Sequence, residues 1–379
     1  MALKEKRQVV GVLAYEKAYA FNAICPYYTM FPLEFPLRLL KKHKAQSPTV
    51  YDPFCGRGTT IYAARKLGLR SYGLDTSPIA TAIAQAKLAS AGMIDVISLA
   101  EKLIESAPKA VPTNSFFRAA FSRKTLLQIC SLREGLLKQK LATDEYAILR
   151  AAALGCLHGP LPLGNGTPSY FSNQMPRTFS SKPDYSVRYW KERRMSAPDV
   201  SVVDVLRKKL ERIGDLNTES PSRLQNVKCL DARKAMSFGK ISGPIVTVTS
   251  PPYYGMRTYV QDQWLRMWFL GGADEVDYEN HNQLSHSGHD SFISDLAKVW
   301  NTLGKRAQDE AHLYVRFGSI PSAKSDPRKI LKASLEESGH WKLLSVRNAN
   351  TSNHGKRQAA YMGSESDPSV EFDFHAVLQ

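Results

Sequence analysis

Apolar and polar positions along this chain repeat with two different periods. Short β-branched or aromatic runs bounded by turn residues predict strands at Thr49–Asp52, Arg70–Asp75, Ile245–Thr249, Ala311–Gly318, Trp341–Val346 and Val370–Leu378, with a shorter one in Asn226–Arg233 that ends at an acid. Spacings of three and four residues predict a helix that runs past Leu40 and others at Ile61–Gly68, 97–105, 121–138, 143–157, Gln261–Leu270, Phe292–Leu303 and 326–338. Strands that alternate with helices predict an α/β domain, with the Gln261–Leu270 helix packed on its sheet and a turn-rich stretch from Gly159 that continues through Arg194.

Two of these strands stop abruptly in polar loops. The Ile245–Thr249 run ends at Ser250-Pro251-Pro252-Tyr253-Tyr254-Gly255, and prolines cannot donate ladder hydrogen bonds, so a rigid loop must leave the sheet there. In open α/β sheets the carboxyl edge of the strands is where ligands bind. Ser250 Oγ and the Pro251 carbonyl can both accept N–H bonds. Two acceptors on one exocyclic amine favour its pyramidal form and restore the nucleophilicity lost by delocalisation into the ring, while Pro252 stiffens the pair and Tyr253 offers a π-face to a base. The plainer alternative is a strand that merely ends at prolines.

The other loop follows Thr49–Asp52. In Asp52-Pro53-Phe54-Cys55-Gly56-Arg57-Gly58-Thr59-Thr60, two glycines let the backbone approach a ligand, and Thr59 or Thr60 is placed to cap the following helix. The next strand ends at Asp75, 17 positions beyond Gly58, an interval that suits a βαβ unit presenting an acid to ribose hydroxyls. The third glycine of a dinucleotide site is missing, and so is the Gly-Lys-Ser/Thr of a phosphate loop. Ribose and adenine contacts without provision for phosphates suit S-adenosylmethionine.

Charge sharpens the picture. In 379 residues, 51 Lys and Arg against 35 Asp and Glu give a net charge of +16, which attracts polyanions and makes nucleic acid the natural partner. No apolar run has spanning length and the amino terminus lacks a signal-type core, so a cytoplasmic, nucleoid-associated protein is expected, without a membrane partner. The five cysteines (Cys25, Cys55, Cys130, Cys156, Cys229) are scattered, as reduced thiols are, and His281, His286 and His289 read as a solvated loop, so no metal is expected.

Asp52 to Thr60 resembles the Asp-Pro-Phe-x-Gly-x-Gly-Thr-Thr cofactor motif of amino-group DNA methyltransferases, and Ser250-Pro251-Pro252-Tyr253 resembles their catalytic motif. The likeness covers roughly residues 20–90 and 226–378. It implies a Rossmann-like, seven-stranded α/β methyltransferase fold with an inserted, mostly helical or loop region. The parts would be 1–92 with the cofactor motif, 93–225 as target-recognition insert and 226–379 with the catalytic motif. The resemblance also implies that Tyr28, Thr29 and Phe31 line the methionine end of the cofactor, that Asp52, Pro53, Phe54, Gly56, Gly58, Thr59, Thr60, Asp75 and Ser77 bind it, and that Asp231 and Ala232 lie near its adenine. In the usual form of this motif order the segment holding Asp231 precedes the insert, whereas here it follows.

The insert carries aromatic and basic residues through Arg177, Tyr185, Arg188, Tyr189, Trp190, Arg193 and Arg194, a pattern that grips phosphates and stacks on bases; a solvated linker is the alternative. Arg188, Arg193 and Arg194, with Lys356 and Arg357 in a later loop, are the expected DNA contacts. The expected activity is methyl transfer to the exocyclic amine of a flipped base in double-stranded DNA, with serine at the first catalytic position favouring cytosine N4. Adenine N6, an RNA base and a silent DNA-binding regulator stay open. A cognate restriction endonuclease is a further partner the resemblance allows.

Overall fold

A computed structural model describes residues 19–27, 31–139, 143–159, 168–173, 183–214, 216, 221–234, 244–256, 260–276, 284–285, 288–307, 310–320, 323, 325–349 and 370–379. The chain divides into two compact units. A sheet unit holds Tyr27–Ala84, Gln225–Thr258 and Asn280–Gln379, and a helical unit holds Met1–Pro26, Gln85–Leu224 and Tyr259–Glu279.

In the sheet unit seven strands run β1 (Thr49–Asp52), β2 (Ser71–Asp75), β3 (Val227–Cys229), β4 (Ile245–Thr249), β5 (His312–Gly318), β6 (Trp341–Asn348) and β7 (Glu371–Leu378). Their order across the sheet is β3-β2-β1-β4-β5-β7-β6. The first five pair in parallel, and β7 is antiparallel to both β5 and β6. This is the seven-stranded, Rossmann-like methyltransferase arrangement expected from the sequence. Strand order reverses between β1 and β4, which makes their carboxyl ends the topological switch point where such sheets take ligands. All five residues of β4 are buried, as a central parallel strand requires, and this explains its unbroken β-branched composition.

Around the sheet lie α1 (Glu34–His43), α2 (Thr59–Lys66) and α3 (Pro78–Ala86), and, later in the chain, α11 (His289–Gly304) and α12 (Pro327–Ser338). Helix α1 begins with Glu34 and ends with Lys41, Lys42 and His43, matching charge to dipole at both ends. A core of Tyr51, Phe292, Trp300, Phe317, Leu331 and Trp341 fills one face of the sheet unit.

The helical unit comprises α4 (Met93–Ile104), α5 (Ser115–Ala120), α6 (Arg123–Lys138), α7 (Asp144–Cys156), α8 (Pro183–Glu192), α9 (Val202–Ile213) and α10 (Val260–Phe269). Side chains of Asn114, Ser122 and Ser201 accept from the first free N–H groups of α5, α6 and α9. Three expectations change here. Helix α10, anticipated on the sheet, lies in the helical unit: Trp264 meets Phe116 and Phe117 with ring centroids 4.8 and 5.7 Å apart, and Arg133 Nε donates to the Trp268 carbonyl at 2.7 Å. Periodicity shows that a face is apolar and not which partner covers it. The stretch read as turn-rich contains α8, and α9 was not anticipated at all, although its Val202, Val203, Val205, Leu206, Leu210 and Ile213 follow helical spacing.

Candidate functional site

The two motif loops open on one edge of the sheet. Strands β1 and β4 are parallel neighbours in the register Tyr51↔Thr247, so Asp52 and the Ser250 loop leave the sheet at the same end. Two side-chain bonds tie them together. Thr60 Oγ1 donates to the Val248 carbonyl at 3.1 Å, and Thr249 Oγ1 donates to Asp52 Oδ1 at 2.6 Å. Neither Thr59 nor Thr60 caps α2, contrary to expectation; Gly58 occupies the cap and makes no side-chain bond. Thr60 is diverted to β4 because the carbonyl it meets there is buried and the hydroxyl is its neighbour.

Gly56 and Gly58 sit at φ 49° and 76°, left-handed conformations that strain any residue with a Cβ. Asp75 holds the turn from the next strand. Its Oδ2 accepts from the Gly56 N–H at 2.9 Å and its Oδ1 from the Ser77 N–H at 2.8 Å. The Thr76 backbone N–H is a third donor to this carboxylate, which leaves one lone pair for a ligand hydroxyl. Ser77 Oγ accepts from the Ala80 N–H at 3.3 Å and from the Tyr27 hydroxyl at 3.1 Å, which fixes the start of α3.

Asp52 is buried, and its Oδ1 also accepts from the Phe54 N–H at 3.2 Å. Burial raises its pKa to about 7, against the opposing pull of its hydrogen bonds with Thr249, Thr60 and Phe54; the nearby Asp75 adds to the rise. Desolvation likewise raises Asp75 above the usual carboxylate range. Pro53 is buried, Phe54 meets Trp300 edge-on at 6.1 Å, and Phe31 packs on Phe35 at 5.2 Å.

Beyond β3, Asp231 does not stand alone. Arg233 Nη2 donates to its Oδ2 at 2.7 Å and Arg233 Nε to its Oδ1 at 3.0 Å, while Arg233 Nη1 reaches Asp295 Oδ2 at 2.7 Å. Asp295 also accepts from the Ser285 N–H and from Lys298. Arg233 is thus a member of the site that motif reading passed over. Its position two residues after an acid is a usable signal, but its bridge to Asp295 joins residues 62 apart and needs the fold.

In the loop after β4, the candidate catalytic segment, Ser250 is half-buried, Pro251 buried and Pro252 exposed. Tyr253 is buried, its ring edge-on to Phe317 at 5.6 Å and its hydroxyl donating to Glu371 Oε1 on β7. Burial, and then the Glu371 carboxylate, hold its pKa well above that of a free phenol; Arg316 and the hydrogen bond with Ser250 oppose the rise. Gly318, opposite Glu371 in the β5–β7 register, lies under this ring: a Cβ there would stand 3.0 Å from Tyr253 Cε2 and 2.7 Å from the Val370 carbonyl oxygen. Farther along, Arg316 on β5 pairs with Asp373 on β7 at 2.7 and 2.9 Å.

The structure therefore brings Asp52, Gly56, Gly58, Asp75, Asp231 and Ser250 to the carboxyl ends of four strands of one sheet. Tyr28, Thr29, Lys356 and Arg357 lie outside the described residues. Arg188, Arg193 and Arg194 are exposed on and just after α8, in the helical unit.

Residues 4–86, which include the glycine turn and Asp75, match the family model described as DNA methylase. Over that segment the chain is similar to the DNA methylases. The type II methyltransferase M.MjaII of Methanocaldococcus jannaschii is 34% identical to this chain over 73 residues, which cover 19% of this chain and 14% of that enzyme. Among solved structures, two of the rRNA methyltransferase aviRa from Streptomyces viridochromogenes, at 1.5 and 2.4 Å, are 14% identical and align over 93% of this chain and 87% of theirs, with TM-scores of 0.34 and 0.33. The Ser250 loop lies outside the matched segment; hydrogen bonds, not sequence similarity, join it to that segment.

Proposed function

We propose that this protein transfers a methyl group from S-adenosylmethionine to the exocyclic amine of a flipped base in double-stranded DNA, cytosine N4 in preference to adenine N6. The observation that carries the reading is the Thr249–Asp52 and Thr60–Val248 pair of bonds, which couples the methylase-like glycine turn to the Ser250 loop on one sheet edge.

The residues fit that cofactor. Thr59 Oγ1 at the start of α2 is buried and finds no hydrogen-bond partner among the described residues, so a polar ligand group would satisfy it. The amino end of α2 favours a carboxylate. Asp75 and Ser77 are near enough to the turn to receive ribose hydroxyls, and Asp231, held by Arg233, can take the adenine amine with Ala232 beside it. The cofactor supplies an electrophilic methyl on a sulfonium. Ser250 Oγ and the Pro251 carbonyl would accept the N–H groups of the base amine, and Tyr253 would bear on the base ring. Serine in place of an acid leaves no carboxylate at the amine, which is the ground for preferring cytosine.

We assign target recognition to residues 93–225, within a methyltransferase domain formed by 1–92 and 226–379. Support comes from α8, where Arg193 stacks 3.9 Å over the Tyr189 ring and Arg188 lies 5.8 Å over Tyr185, with both arginines exposed. Arg194, Lys356 and Arg357 would add phosphate contacts. Alanine at Arg188, Arg193 and Arg194 then weakens DNA binding and flattens its salt dependence. A DNA substrate would place the protein in the cytoplasm with the nucleoid, where a cognate restriction endonuclease would be one partner compatible with that substrate. Among the described residues no helix is long and apolar enough to cross a membrane.

The deciding experiment is transfer of tritiated methyl from S-adenosylmethionine to duplex DNA and to RNA, followed by modification-aware sequencing of DNA from expressing cells. Labelled DNA carrying N4-methylcytosine is expected. Label on RNA alone, or on neither, overturns the reading.

A further inference from the structure

The catalytic loop ends in a contact that the transfer reaction described above does not use. Tyr253 donates its hydroxyl hydrogen to Glu371, the first residue of β7, 118 positions away. The same phenol is hydrogen-bonded by the Ser250 side chain.

Counting protons sets the direction of this chain. An ionised carboxylate can only accept, and a phenol has one hydrogen to give. With that hydrogen committed to Glu371, the phenol oxygen can only accept from Ser250. The serine hydroxyl hydrogen is then occupied, and what Ser250 turns toward a substrate is lone pairs alone. Reversal follows if the carboxylate is absent or replaced by a group that can itself donate. The phenol hydrogen could then turn to Ser250 Oγ, and the serine hydrogen would point outward at the amine lone pair, which is the electron pair that must attack. Chains of this kind polarise one another, so the effect of the carboxylate reaches the serine.

The surroundings keep Glu371 in this role. Among the described residues Arg316 is a basic group that acts on Tyr253, and it is committed to Asp373 through two bonds. Arg347 on β6 stands opposite Asp373 in the register, and Arg328 of α12 lies over the Phe372 ring while bonded to Asp326. Gly318 has no side chain to intervene between Glu371 and the phenol.

We propose that Glu371 is a positioning residue for methyl transfer, polarising Tyr253 and Ser250 so that Ser250 meets the target amine only as an acceptor. This rests on the transferase reading above. It adds no covalent step: Glu371 touches neither the base nor the cofactor.

The test compares single-turnover methyl transfer by the full chain, Glu371→Gln, Tyr253→Phe and the double variant, with cofactor and DNA saturating. Glu371→Gln is expected to slow the transfer about tenfold, the size of one lost polar contact, while KM for DNA and cofactor stays within twofold. In the Tyr253→Phe background the same substitution should add nothing, because its only route to Ser250 is gone. A carbon-13 label in the tyrosine rings, with the Tyr253 resonance assigned through Tyr253→Phe, provides a readout independent of activity: Glu371→Gln should shift the hydroxyl-bearing carbon. Equal rates for the unaltered chain and Glu371→Gln, or an equal loss on either background, overturn the proposal even if DNA is methylated. No methylation by the unaltered chain, with the carbon-13 shift present, overturns the transferase reading and the positioning role with it.

Discussion

The Thr249 hydroxyl gives its hydrogen to Asp52 at 2.6 Å, joining the last residues of two parallel strands that lie 197 positions apart in the chain. Both side chains are buried. The bond fixes the glycine turn against the proposed catalytic loop, and the stability of that edge depends on it.

Replacing Thr249 by valine keeps the shape and removes the donor. Asp52 then loses one of its few partners inside the sheet, a change that costs about 1–3 kcal/mol when the acceptor stays buried. Urea unfolding should show the loss, and Thr249→Ser should recover most of it. A valine variant as stable as the parent would mean that Asp52 finds its stabilisation elsewhere.

Asp52 also gives stability a pH dependence. Its folded pKa of about 7 is above its ordinary 3.8, so the folded state holds a proton that the unfolded state has released. This term favours folding fully below 3.8, declines as pH rises between 3.8 and about 7, and is constant above. Asp52→Asn removes it. The difference in unfolding free energy between variant and parent should therefore shift in favour of the variant from pH 4 toward pH 8; a flat difference across that range would refute the assignment.

Gly318→Ala tests the support beneath Tyr253. The added methyl would meet backbone at 2.7 Å and the phenol ring at 3.0 Å, and the first of these cannot rotate away. Crowding of this kind costs about 1–3 kcal/mol, and here it should displace Tyr253 as well. The expected result is a lower melting temperature with loss of methyl transfer and retention of S-adenosylmethionine binding, read by calorimetry. Full activity in the alanine variant would show that the ring position is not critical.

Arg233→Ala uncouples Asp231 from Asp295 and leaves both acids without their shared cation. S-adenosylmethionine affinity should fall about tenfold, roughly the worth of one oriented polar contact, with little change in the rate at saturation. Arg233→Lys should rescue poorly, because an ammonium cannot reproduce the two-sided fork. Unaltered affinity in the alanine variant would remove Asp231 from the adenine site.

Much of this molecule was legible in the amino-acid order, because local physics is written locally. β-Branched runs such as Ile245–Thr249 can only be buried strands, the φ values of Gly56 and Gly58 demand residues without a Cβ, and helices at 121–138 and 143–157 were bounded to within two residues of Arg123–Lys138 and Asp144–Cys156. What the order of residues could not determine is pairing across distance. Nothing near Tyr253 in the chain points to Glu371 or Gly318, nothing near Asp231 points to Asp295, and the apolar face of Val260–Phe269 is equally suited to a sheet or to the aromatic helices that cover it. Those choices belong to the tertiary structure, because a buried polar or aromatic group takes whichever partner the folded backbone brings within reach, at any separation in sequence.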